Sequence, residues 1–421
     1  VCGLVAPGLS YASCTGASPT WNATADQSSI QTCLSSAAAS GDTLYIGAGT
    51  ATITTTPLSL TGKSLTVVGA GTGVTFIDND TGGLRALDIT ASTSNFVDVS
   101  GITFREVDAA SNGIVLITGT MFQESFRFHH NEVIHNITGG RGITVSLVYG
   151  LVDHNTFEEG AGSVQSVSIE GALVSNDGGW TPWTQPLTMG TYKAVYVEDN
   201  TFNATVLAGE DSIDAYAGAR IVIRYNTFNN AHAGFHGTDS GDRRSPISQE
   251  MYGNIYNNTT ASNYEAGRFR GGTGLWFNNT WNNLSSGTWG NIGLFLYRAC
   301  DGTGGGFQIC NGAQYVVGSS SVSSTASRRC CDIATGPIPG VGGCAAWPTV
   351  NWVGNYGFDA TSKDSLPMGL IGTGNYTLYF DGTGIGGYPC RDQPGRGPGQ
   401  TLEPVYAWGN TGGQTVGAVD A

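Results

Sequence analysis

The chain has 421 residues, of which 64 are glycine, 40% hydrophobic and only 12% charged, and its formal net charge is −14. So acidic a surface excludes nucleic acid and anionic membrane as partners, since both select a basic surface, and no apolar run is long enough for membrane insertion. The hydrophobic content excludes a disordered chain, and no Pro- or Ser-rich linker or charge run divides residues 1–421, so one domain is expected.

The chain opens at Val1 without a signal-peptide pattern, which reads as a mature, processed form of an exported protein. Three cysteines lie near the start (Cys2, Cys14, Cys33) and six near the end (Cys300, Cys310, Cys330, Cys331, Cys344, Cys390), with none between. Crosslinks at both ends of an elongated body suit an oxidising compartment, so the protein is expected to be secreted or at a bacterial cell surface. The odd count leaves one thiol free or paired between chains. In ADQSSIQTCLSSAAASGD, Asp26 is placed to cap a helix carrying Ile30, Cys33, Leu34, Ala37 and Ala38 at helical spacing, and Gly41 to end it. Residues 1–41 are thus expected to form an N-terminal cap over the exposed strand edges of a sheet.

From residue 42 to about 300 an alternating apolar run followed by Asn-x-aromatic, or a close variant, recurs as FRFHHNEV, LVDHNTF, VYVEDNTF, IVIRYNTF, MYGNIYNN and LWFNNTW. Its asparagines are Asn131, Asn155, Asn200, Asn226, Asn254 and Asn279, with Gly101 and Gly69 placed in the same register. The steps of 32, 30, 24, 45, 26, 28 and 25 residues suit coils of three short strands and three turns. The fold class expected is therefore all-β, a right-handed parallel β-helix of three-strand coils with an N-terminal capping helix. Its asparagines would align in a ladder of side-chain amides. Residues 301–421, where the repeat fades into Gly- and Cys-rich sequence, are expected to hold late coils with long loops and a C-terminal cap.

Side chains alternate along a strand, which sorts the residues before each asparagine. Phe128, Val152, Val197, Ile223, Met251 and Trp276 point inward; His129, Asp153, Glu198, Arg224, Tyr252 and Phe277 point outward. A second outward column holds Arg127, Leu151, Tyr196, Val222, Glu250 and Leu275. In so sparsely charged a chain this concentration marks one sheet face as the candidate site, although solvated charge ladders would have the same pattern. The 45-residue step hides an insertion with Trp180, Trp183 and Tyr192, whose rings suit the C–H face of a sugar. The following turns carry His236, Arg244, Arg268 and Arg270. Guanidinium groups recognise carboxylates by paired hydrogen bonds, pointing to a uronic-acid polymer, while pairing with neighbouring Asp and Glu is the alternative.

The helix followed by GDTLYIGAGTATI, together with LVDHNTF, whose Asp153-His154 matches the WIDH strand, resembles secreted bacterial right-handed β-helix proteins of the pectate-lyase-like superfamily. That resemblance implies a polysaccharide partner, Ca2+ as cofactor with Asp153 and Glu198 as its metal ligands, and a catalytic Arg224. The foremost expectation is a lyase that cleaves a uronic-acid-containing polysaccharide by β-elimination. Arg224 would stabilise charge, and His129, His236 or Tyr252 would accept the proton. Substrate would be held by Trp180, Trp183, Tyr196, Tyr252, Arg244, Arg268 and Arg270. A glycoside hydrolase using paired carboxyls is the second reading, with Asp153 and Glu198, or Glu198 and Glu250, spanning the scissile bond. The third is a carbohydrate-binding adhesin or a protein that self-associates end to end.

Overall fold

The computed structural model describes residues 14–91, 94–108, 113–119, 124–135, 137, 139–162, 164–171, 185–205, 211–235, 245–257, 267–269 and 271–282, followed by the short stretches 292–296, 349–351, 375–377, 394–395, 397–398, 401, 403–412 and 416–420. Each repeat lays down three short strands, and every strand pairs with its counterpart in the next repeat. The result is the expected parallel β-helix. Among the described residues the first sheet has twelve strands, ending with Ser248–Tyr252, Thr273–Phe277 and Tyr406–Trp408. The second has nine, from Gly49–Ile53 to Thr280–Asn282, and the third six, from Leu58–Thr61 to Ile213–Tyr216. Two bridges made by Ala233, to Ile213 and to Gly267, link the third sheet to Gly267–Phe269, which pairs on with Ile292–Leu296 and Val416–Asp420. Within 301–421, Thr349–Asn351 pairs antiparallel with Asn375–Thr377.

The repeat motif encodes the corner between the first and second sheets. One residue in the left-handed region turns the chain: His130, His154, Asp199, Tyr225, Gly253, Asn278 and Gly409 all have φ between 52° and 67°. The next residue is the asparagine, whose side chain folds under the turn. Asn200 is typical. Its Nδ2 donates to the carbonyls of Val152 (2.9 Å) and Glu198 (2.9 Å) and to Asn226 Oδ1 (3.0 Å), while its Oδ1 accepts from Asn155 N (2.9 Å). The same pattern runs from Asn131 to Asn279 and on to Asn410, which accepts from Asn279 N at 3.0 Å. Gly101 does not belong in the asparagine register, contrary to the sequence reading. It follows Ser100, the register partner of His129, and so occupies the turning position of His130, at φ 71°, and Ile102 follows it in the asparagine's place, its amide donating to Asn131 Oδ1 at 3.1 Å.

The aromatic residue of the motif begins the second sheet and faces the core. Phe157, Phe202, Phe228, Tyr256 and Trp281 stack one coil above the next, with centroids 4.6 to 4.9 Å apart. That distance is the strand spacing itself, so ring stacking needs no adjustment of the backbone. On the first sheet the inward column is as expected: Phe128, Val152, Val197, Ile223, Met251 and Trp276 are all inaccessible.

At the N-terminal end, Asp26 Oδ1 accepts from Ser29 N (2.8 Å) and starts the helix Gln27–Thr32, which widens into a π turn over Cys33–Ala37. Ile30 and Leu34 cover the core of the first coil. Gly41 does not end this helix, as had been expected. Lys63, from the next coil, donates to the carbonyls of Leu34, Ser35 and Ala38 (2.9, 3.0 and 2.7 Å) and so satisfies the helix terminus. A disulfide between Cys14 and Cys33 ties the leading hairpin to this cap; the other seven cysteines lie outside the described residues.

The interior is not wholly apolar. Glu106, beside Asn79 in the second sheet, is buried with neither carboxyl oxygen hydrogen-bonded among the described residues. Burial, then the neighbouring Asp108 charge, pushes its carboxyl up to about 8. A Cβ on Gly140 would lie 2.0 Å from Glu106 Oε2, so only glycine leaves room for that side chain. In the next coil His135 is held neutral, pushed down to about 4 by burial, with Nε2 2.7 Å from Ser166 Oγ.

Two outcomes follow for stability. Asn200→Ala leaves the carbonyls of Val152 and Glu198 without their donor and should cost about 3 kcal/mol by denaturant unfolding, whereas Asn203→Ala, on the outer face, should cost less than about 1 kcal/mol. Because Glu106 holds its proton more tightly folded than unfolded, its contribution is complete below the ordinary value of 4.5 and is lost as pH rises toward about 8. Glu106→Gln should remove that loss, seen as a flatter pH profile of unfolding midpoint between those values; an unchanged profile would mean that Glu106 is not buried as a neutral acid.

Candidate functional site

The outer face of the first sheet carries the charge. Strand register places His129, Asp153, Glu198, Arg224, Tyr252, Phe277 and Trp408 in one column across consecutive strands, and Arg127, Leu151, Tyr196, Val222, Glu250, Leu275 and Tyr406 in the parallel column. The turning residues His130, His154 and Tyr225 add a third column along the corner, one that alternation alone does not reveal.

These side chains form two separate groups. In the first, Arg127 donates to both oxygens of Asp153 (2.9 and 2.6 Å), and His154 Nδ1 lies 2.8 Å from Asp153 Oδ2. Although its position faces outward, Asp153 is 1% exposed, because Arg127 and His154 cover it. Burial works against its charge, but these bonds outweigh it and hold its carboxyl below the usual range. His129 belongs here too, with Nε2 3.0 Å from Asp98 Oδ1.

The second group centres on Arg224. Its Nε donates to Glu198 and its Nη1 to the Tyr252 hydroxyl (2.9 Å). Its guanidinium also lies over the rings of Tyr196, Tyr225 and Tyr252, at 4.9, 5.7 and 5.9 Å from their centroids, so three aromatic faces and a carboxylate fix the cation. Burial opposes its charge, yet the bonds to Glu198 and Tyr252 prevail and keep it firmly protonated.

Residues 185–193 fold over this group. Gly190 N donates to Glu250 Oε1 (2.8 Å), and the Tyr196 hydroxyl donates to the Thr191 carbonyl (2.6 Å). The covered Glu250 carboxyl is raised by burial, partly offset by the Gly190 amide and by Arg224. A carboxyl so placed keeps a proton to higher pH than an exposed one, as a general acid requires. Arg220 anchors the segment from below: buried, it donates to Thr188 Oγ1 (2.6 Å) and to the Gln185 carbonyl (3.3 Å). Beyond Tyr252 the column turns aromatic, with Tyr252, Phe277 and Trp408 stacked 4.6 and 4.4 Å apart.

The sheet thus brings together Arg224, Glu198, Tyr196, Tyr252 and Glu250. His129 lies three strand spacings from Arg224, roughly 14 Å in a parallel sheet, while Asp153, the register partner of Glu198, turns its carboxylate to Arg127 and His154 instead. Trp180, Trp183, His236, Arg244, Arg270 and the Arg268 side chain lie outside the described residues. Among the described residues no donor set converges to fit the calcium expectation. Both Asp153 oxygens are engaged by Arg127, Glu198 is bonded to Arg224, and no group of three or more metal-ligating side chains converges among the described residues. Arg220, Tyr225 and His130 did not stand out in the sequence, and His154 did so only through its match to the WIDH strand. Arg220, six residues before Asn226, lies in the outward alternation and could have been found by extending each column one step further back.

No family model matches the chain, and no curated protein matches it. Among solved structures it is similar to the crystal structure of an alginate lyase from Paenibacillus sp. str. FPU-7, with 14% identity over 64% of this chain and 98% of that one and a TM-score of 0.41.

Arg220→Ala should release residues 185–193 from the sheet. Hydrogen exchange at the Gly190 amide is expected to speed up roughly tenfold, the loss of about 1.4 kcal/mol of local stability; an unchanged rate would mean that other contacts hold the segment.

Proposed function

We propose that this is an extracellular polysaccharide-active protein, and that it cleaves a uronic-acid-containing polymer by β-elimination on the outer face of the first sheet. The observation that carries the reading is the Arg224 group: a guanidinium bonded to the Tyr252 hydroxyl, beside a carboxyl raised by burial, and continuous with the Tyr252, Phe277 and Trp408 stack. Flat rings in a row cover the C–H faces of successive sugars while their edges stay wet. The Cys14–Cys33 disulfide is consistent with an oxidising compartment.

In this mechanism the uronate carboxylate lies against Arg224, whose charge stabilises the negative charge that grows on the carboxylate as C5 is deprotonated. The Tyr252 oxygen, as the phenolate that has already given its own proton to solvent, takes the C5 proton. The electron pair of the C5–H bond becomes the C4–C5 double bond, the C4–O bond breaks, and the departing oxygen receives a proton from Glu250. Tyr196 and Glu198 hold Arg224 in place. His129 is too distant to take part, which leaves Tyr252 as the acceptor among the described candidates.

A non-enzymatic carbohydrate-binding role is the second reading, favoured by the exposed end of the platform, where Tyr406 and Trp408 are 55% and 48% accessible. Incubation with a panel of uronate polysaccharides separates the two. The lyase reading expects rising ultraviolet absorbance from the unsaturated product, reduced at least about 100-fold in Tyr252→Phe and in Arg224→Ala. Binding without any rise, abolished by Trp408→Ala, would sink the lyase reading and leave the binding one.

A further inference from the structure

The histidines of the first group make a different kind of site. His129 Nδ1 and His130 Nδ1 face each other at 2.7 Å. His129 Nε2 lies 3.0 Å from Asp98 Oδ1, and a carboxylate only accepts, so neutral His129 carries its proton on Nε2 and presents a lone pair at Nδ1. The ring of His130 is set by the left-handed turn at φ 52° and by stacking on His154, with centroids 4.9 Å apart and planes 1° from parallel. Two imidazole nitrogens held this close must share something positive: a proton carried by His130, or a cation in its place.

We infer that His129 and His130 form a two-nitrogen site for a divalent transition-metal ion of the copper(II) or nickel(II) type, with Asp98 orienting His129 from behind. Imidazole suits these ions, and at a metal–nitrogen distance of about 2.1 Å, nitrogens 2.7 Å apart subtend about 80° at the metal. That is close to the right angle between neighbouring ligands of a tetragonal ion and far from a tetrahedral one, and both rings must turn from their mutual hydrogen bond for the two lone pairs to meet on the metal. Water fills the remaining positions. Binding exchanges the shared proton for the metal ion, with no change of oxidation state. The carboxylate behind His129 fixes its tautomer and ring plane, as metal-bound histidines require. His154 is differently employed, its Nδ1 being turned to Asp153, so it supports the ring of His130 without binding the ion. The site is independent of the Arg224 group, three strands away.

The test is titration of the untagged full chain with Cu2+, followed by calorimetry and electron paramagnetic resonance. One Cu2+ per chain is expected above the background of the His129→Ala/His130→Ala double variant, with a spectrum split by two imidazole nitrogens. Each single variant should weaken binding at least tenfold, Asp98→Asn about tenfold, and His154→Gln less than threefold. Equal binding by the wild type and the double variant would overturn the inference. So would a wild-type spectrum without nitrogen splitting, which needs no variant to fold.

Discussion

The buried asparagine at the corner of each coil is the interaction on which the rest of the molecule depends. A parallel strand can bond to its neighbours, but the corner that follows it turns carbonyls and amides away from the ladder, and buried polar groups must be paired. Asn155, Asn200, Asn226, Asn254 and Asn279 close that gap in the same way. Each amide bonds to the strand below and to the asparagine above. Because both bonds run along the stack, the coils share one register at this corner, and each added coil satisfies the one before it. Coil lengths are therefore free to vary elsewhere: the step from Asn155 to Asn200 is 45 residues long, yet Asn155 N still donates to Asn200 Oδ1.

With the corner set, the composition of the outer face follows from which residue stands two places before each asparagine. Charges more than twenty residues apart in sequence become neighbours across a strand, as Glu198 and Arg224 do, or Arg127 and Asp153 diagonally. This is how so sparsely charged a chain gathers its charged side chains on one face. Arg224 is fixed by a carboxylate, a hydroxyl and three rings, which makes it a rigid element of the face rather than a mobile surface charge. The segment 185–193 adds a roof that buries Glu250 and so alters its proton affinity. The interior tolerates charge on the same terms, by neutralising it: Glu106 keeps its proton and His135 loses one, since neither charged form is stable without water or a partner.

Much of this was legible in the chain. Repeated asparagines at 24 to 28 residues, with one step of 45, with alternation before them and an aromatic after them, specify coils, inward columns and outward columns, because a period of two leaves no freedom once the register is known. Asp26 was readable as a helix cap because capping is local chemistry between residues three apart. Gly101 was misplaced by one residue because glycine signals a turn, and the turning position adjoins that of the asparagine. The end of the capping helix was misread for another reason: its terminator, Lys63, comes from a different coil.

The sequence by itself thus determined the fold class, the corner ladder and the membership of each column, all of which depend on short-range periodicity. Only the tertiary structure decided which members of a column act together. It divided one apparent row of charges into an Arg224 group and a histidine group, and it turned Asp153 from a free carboxylate into a buried, saturated one. It also set the His129 and His130 nitrogens face to face. Such pairings depend on side-chain reach across strands and on what covers the face, and neither is written in the spacing of residues along the chain.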